Sequence, residues 1–179
     1  MIDFVSATLF LPLVPALALG DISVGGNRPV TLHVPVSYNP EVPTPLVLFL
    51  HGYPGTGEAF ESFFGFRAFQ EDEAFLYAYP DAGLDSCGDR AWDATDACCR
   101  NFWVCPAVDD SSYLESLIDE SSSELNVDAA QIFVAGQSAG GFMSYRMACD
   151  HADKVAAIAS FAGATFNDPE RCQPPAPVP

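Results

Sequence analysis

Gln131-Ile-Phe-Val-Ala135 runs directly into Gly136-Gln-Ser-Ala-Gly140, and a helix-forming stretch follows at once. An apolar run, a tight turn and a helix place Ser138 at the apex of an elbow, its hydroxyl aimed outward at the carboxyl end of a sheet. Strand and helix crowd together at such a turn, so the residues two before and two after the serine must lack bulk. Gly136 and Gly140 meet that demand. The helix that starts there turns its N-terminal N–H groups, with their positive partial charge, toward the place where an oxyanion would form. Residues of these types in this order suit a nucleophilic serine.

Such a serine needs a base, and in sites of this kind the partners follow it in the order Ser, Asp or Glu, His. The only histidine after Ser138 is His151, along the helix that the elbow starts. A rise of 1.5 Å per residue puts it ~20 Å from the hydroxyl, far beyond hydrogen-bond reach. His33 and His51 both precede the serine. The expectation is that the triad acid and histidine are not in this chain.

With 179 residues and 49% apolar content, the chain can build one domain with a real core. A net charge of −17 argues against nucleic acid and anionic membrane surfaces as partners, because their phosphates would be repelled. Residues 1–20 carry a single charge, Asp3, and close on Ala16-Leu-Ala-Leu-Gly20. That pattern reads as a secretory signal cut after Ala18 or Gly20, although no Lys or Arg leads it. Pro12 and Pro15 argue against a membrane-spanning helix. Six cysteines fit an oxidising, extracellular or periplasmic setting. Adjacent Cys98 and Cys99 are poorly placed to bridge each other. The simplest scheme joins each of them to Cys87 or Cys105, and joins Cys149 to Cys172. No C-x-x-C pair occurs, so zinc or redox use of the cysteines is not expected, and the reading calls for no metal or other cofactor.

Elements alternate along the rest. Val30–Val36 alternates and reads as an outer strand, and Pro45-Leu-Val-Leu-Phe-Leu50 reads as a strand buried on both faces. Residues 55–70 carry a helical pattern through Phe60, Phe63 and Phe64; residues 74–79 form the next strand. A long cysteine-rich loop covers 81–109. Residues 110–125 read as a helix, with Ser112 and Glu115 spaced as a capping box. Strand 131–135, helix 139–150 and strand 155–161 complete an α/β pattern with a mainly parallel sheet.

His51-Gly-Tyr-Pro-Gly-Thr-Gly57, Tyr79-Pro-Asp81, Trp92-Asp-Ala-Thr-Asp-Ala-Cys-Cys99, the elbow, and Met143-Ser-Tyr-Arg-Met-Ala-Cys149 occur in that order. Together they resemble the polyhydroxybutyrate depolymerase-like esterases, a group of secreted α/β-hydrolases that includes feruloyl and acetylxylan esterases. The resemblance runs from about residue 22 to the end. It implies an α/β-hydrolase fold with the C-terminal strands missing, so that 21–179 is an incomplete esterase domain behind a signal at 1–20. By that resemblance Ser138 is the nucleophile, and the backbone N–H groups of Ala139 and Tyr53 form the oxyanion hole. The triad aspartate and histidine would follow Pro179.

The partner implied is an ester, possibly polymeric, with no obligate protein partner. His51 reads as a structural histidine holding its own loop rather than a catalytic one. Trp92, Phe102 and Trp103 form either an aromatic wall for substrate, with Trp92 and Trp103 as its binding residues, or aromatics packed over disulfides. A reading from another class is a non-catalytic module that binds an ester-decorated polymer.

Overall fold

The computed structural model describes residues 19–98 and 108–179. Its centre is a four-stranded, wholly parallel sheet in the order β4-β3-β5-β6. The strands are β3 (Thr44–Leu50), β4 (Leu76–Ala78), β5 (Val127–Gln137) and β6 (Ala157–Phe161). Outside it, β1 (Ile22–Val24) and β2 (Val30–Leu32) pair antiparallel as a separate ribbon. One bridge between His33 and Tyr77 ties that ribbon to β4, so the stretch expected as an outer strand is indeed peripheral.

The apolar run of β3 sits between two layers, which is why it lacks alternation. Leu46, Leu48 and Leu50 are fully buried in one core with Leu114, Leu117, Met143 and Met147. Those four residues come from α3 (Asp110–Glu124) and α4 (Ala139–Asp150). Phe49, on the opposite face of β3, meets Phe64 and Phe66 at ring separations of 5.4 and 4.7 Å.

The helix expected over 55–70 is two helices, α1 (Gly57–Phe64) and α2 (Arg67–Glu73). Gly65 divides them. It takes φ 67°, and its N–H returns to the carbonyl of Glu61, which ends α1 with a left-handed cap. At the start of α3 the cap is Asp109, not the Ser112 box: its carboxylate accepts the Ser112 N–H at 3.0 Å and the Ser112 hydroxyl at 2.7 Å. Cys149 and Cys172 are bridged, Cα to Cα 5.0 Å, as the simplest pairing expected. Cys87 and Cys98 are oxidised too. Cys99, Phe102, Trp103, Cys105 and the leader to residue 18 lie outside the described residues. Among the described residues no helix is long and apolar enough to cross a membrane.

Candidate active site

Ser138 joins β5 to α4 with φ 51° and ψ −119°. A non-glycine residue with positive φ stores ~1–3 kcal/mol of backbone strain, which the surroundings must hold in place. Two bonds do so here. The Ser138 N–H donates to the Phe161 carbonyl at 2.7 Å, and its own carbonyl accepts the Phe142 N–H at 3.0 Å. The glycines are needed for the reason inferred from sequence. A Cβ on Gly136 would overlap the backbone of Gly140, and one on Gly140 would overlap the carbonyls of Leu50 and His51.

Close packing of β3 on the elbow brings the next loop to the serine. A Cβ on Gly52 would stand 2.5 Å from Oε1 of Gln137 and 3.3 Å from its carbonyl oxygen. Gly52 therefore lies directly against the residue before Ser138. Ala139, buried at the first turn of α4, has no intrahelical acceptor for its N–H. Tyr53 is exposed at the tip of the opposing loop.

Each of the three histidines in the sequence has partners for both ring nitrogens, and none of these partners is Ser138. His33 is held between Asp21 at 2.7 Å and the Tyr79 hydroxyl at 3.1 Å. Buried His51 spans Gly52 O and Ala82 N–H, both at 2.9 Å. Burial pushes its pKa below the ordinary value. His51 is a structural histidine that fixes its own loop. His151 caps the far end of the helix whose first cap is Ser138, with Nε2 at 2.9 Å from the Ser111 hydroxyl.

Trp92 is not part of a substrate wall. It is 3% exposed, and its indole N–H donates to the His51 carbonyl at 2.8 Å. Its ring lies 5.1 Å from the His51 ring, and Cys98 belongs to the same core. The indole therefore packs against His51, the residue that follows β3.

The aromatic surface beside the serine comes instead from α1. Ala59, Phe60, Phe63, Phe64 and Gln137 line a cleft of about 350 Å³. Phe64 approaches Phe161, whose carbonyl holds the Ser138 N–H, at 6.3 Å. The spacing of Phe60, Phe63 and Phe64 signals a helix face, yet Phe63 is 82% exposed. That face lines an opening as well as a core. Among the described residues no group of three metal-ligating side chains converges.

Residues 22–170 match the family described as "Putative esterase". The chain is 25% identical over 154 residues to the bifunctional acetylxylan esterase/xylanase XynS20E of Neocallimastix patriciarum, covering 86% of this chain and 21% of that protein. It is 30% identical over 159 residues to an acetylxylan esterase of Coprinopsis cinerea, covering 85% and 40%. It is 27% identical over 155 residues to feruloyl esterase C of Emericella nidulans, covering 83% and 51%. It thus spans about half or less of the length of these relatives. Among solved structures, an acetyl xylan esterase from Aspergillus awamori superposes with a TM-score of 0.64 at 19% identity, over 81% of this chain and 52% of that one. With the parallel sheet, the elbow and the match over 22–170 in agreement, the chain belongs to the esterase family and has an α/β-hydrolase fold.

Proposed function

We propose that this chain carries the nucleophile and oxyanion hole of a secreted serine esterase that cleaves carboxylic esters of a polymer or plant cell wall. The observation that carries this reading is the strained backbone of Ser138 between β5 and α4, with its two small neighbours enforced by contact. Ser138 Oγ attacks the ester carbonyl and its proton passes to a histidine. The oxyanion is held by the N–H groups of Ala139 and Tyr53. Collapse expels the alcohol with that proton, and water then releases the acid from the acyl-enzyme.

The three histidines described above are committed elsewhere, so the base and its acid come from residues other than these. Names of the relatives favour acetyl or feruloyl esters. The aromatic cleft beside Ser138 favours an apolar acyl group over acetyl alone. A depolymerase role rests on the sequence resemblance. Secretion is supported by the leader composition and by the Cys149–Cys172 bridge.

The test is hydrolysis of p-nitrophenyl acetate, p-nitrophenyl butyrate and methyl ferulate by the full-length gene product. Ser138→Ala should cost up to ~10⁶ in turnover, and the 179-residue chain alone should be essentially inactive. Turnover by the 179-residue chain comparable to an intact esterase, or activity indifferent to Ser138→Ala, would overturn the reading.

A further inference from the structure

Besides the Trp92 bond to the His51 carbonyl, three contacts among the described residues fasten the loop that carries Tyr53 to a second loop. His51 Nε2 accepts the Ala82 N–H at 2.9 Å, the Tyr53 hydroxyl donates to Asp89 Oδ2 at 3.0 Å, and the Gly57 N–H donates to Asp81 Oδ1 at 2.8 Å. The first and third links flank Tyr53 at a distance along the chain and involve backbone groups. The middle link alone reaches Tyr53, and it joins two side chains. Tyr53 is 45% exposed, so packing does little to hold it.

Asp89, by contrast, is well placed to act as an anchor. Leu84 and Arg90 form an antiparallel bridge. Within it, the Asp85 N–H donates to the Asp89 carbonyl at 2.9 Å, and the Asp89 N–H returns to Asp85 Oδ1 at 3.0 Å. Gly88 supplies the turn with φ 88°. Arg90 then ties this hairpin to Asp81 at 3.3 Å and to the Ala82 carbonyl at 3.2 Å. The hairpin is thus a closed unit resting on the same residues that hold His51 and Gly57.

We propose that Asp89 is a positioning residue for the oxyanion hole, acting through the Tyr53 phenol to set the direction of the Tyr53 N–H. This rests on the reading that Tyr53 supplies one oxyanion donor. An exposed hydrogen bond of this kind contributes little to global stability. A misplacement of about 1 Å near the reacting atoms, however, can cost ~10² in rate. Activity should therefore respond where stability does not, and that difference separates positioning from a merely structural contact. Charge supports the pairing: the carboxylate of Asp89 and its hydrogen bond raise the Tyr53 pKa, keeping the phenol protonated as the donor.

The experiment measures kcat, KM and Tm in the full-length gene product. Tyr53→Phe and Asp89→Ala should each lower kcat about tenfold, with KM and Tm nearly unchanged, and the double variant should be no worse than either single one. Asp89→Asn, whose amide oxygen still accepts, should restore most of the loss. In the 179-residue chain, hydrogen exchange over 52–57 should quicken about tenfold in Asp89→Ala, while β3 and α4 keep their protection. Wild-type kcat in Asp89→Ala, additive losses in the double variant, or a loss that tracks a lowered Tm would overturn the proposal. Tyr53→Pro removes the N–H itself. If that variant loses activity while Asp89→Ala keeps wild-type kcat, positioning by Asp89 fails and the donor stands. If Tyr53→Pro retains wild-type kcat, the donor assignment fails and takes the proposal with it.

Discussion

Nε2 of His51 accepts the N–H of Ala82 at 2.9 Å, while its Nδ1–H donates to Gly52 O at the same distance. A second proton on the ring would break the bond to Ala82 and bury a charge. Burial accordingly holds the pKa below 6.5. As pH falls below 6.5 the unfolded chain takes up a proton that the folded chain refuses, so stability present above that value is lost toward the folded pKa. Asp109 and Asp96 act in a lower window. The N–H groups of Ser112 and Asn167, respectively, hold them below 3.8, so their contribution is lost only in stronger acid. Urea midpoints should fall between pH 7 and 5, and the slope should flatten in a folded His51→Gln variant. A flat midpoint across that range would contradict the assignment.

Gly140 is the tighter of the two elbow glycines. Its missing side chain lets α4 seat on the carbonyls of Leu50 and His51, which are backbone atoms at the end of a buried strand and cannot swing aside. Gly140→Ala should therefore cost about 3 kcal/mol or prevent folding. Equilibrium denaturation checks this, and a variant as stable as the parent would mean that the helix sits further from β3 than described.

Cys149 and Cys172 close a loop of sequence separation 23, worth ~3 kcal/mol by chain entropy. The bridge pins the segment after β6 to the end of α4. That segment is also held by Arg171 on Asp96 at 2.7 Å and by Asn167 on the same carboxylate at 2.9 Å. Peptide mapping without reduction should recover the pair joined, and replacing both with Ala should lower the denaturation midpoint. Free thiols at these two positions would refute the bridge.

Local signals carried most of the fold. The glycines at 136 and 140, the unbroken apolar run at 45–50 and the β/α alternation each depend on neighbours a few residues away, and each is found as expected. What escaped depends on partners distant in sequence. Trp92 lies in a loop, and the sequence leaves it open between a substrate wall and packing over disulfides until its bond to His51, 41 residues back, is known. The fastening of Tyr53 to Asp89 spans 36 residues and has no periodicity to betray it. The helical spacing at Phe63 shows that a face is apolar without showing what covers it, and Phe63 is exposed.

β6 is the edge of the sheet beyond β5, and its sequence Ala-Ile-Ala-Ser-Phe holds no charge. Ala159 and Phe161 are exposed, and the remaining residues of the strand are only half-buried. Along the outer side, the Ile158 N–H donates to the Pro179 carbonyl at 2.9 Å, and Val178 packs onto the core there. The tail thus covers the start of the edge and leaves the end near Ser138 open. Natural sheets guard such edges with charge, bulges or proline, because free N–H and C=O groups recruit another chain. The net charge of −17 opposes association in general, but none of it lies within the strand. The 179-residue chain should therefore form dimers or larger species at micromolar concentration. Sedimentation together with a thermal melt reads this directly. A monomer with a sharp, cooperative transition would show that the tail and the charge suffice to protect β6. Placing Lys at Ala159 separates the causes: if the edge is responsible, Ala159→Lys should restore the monomer without altering the melt, whereas association unchanged by that charge would locate the contact elsewhere, with the exposed ring of Phe63 as the next surface to test.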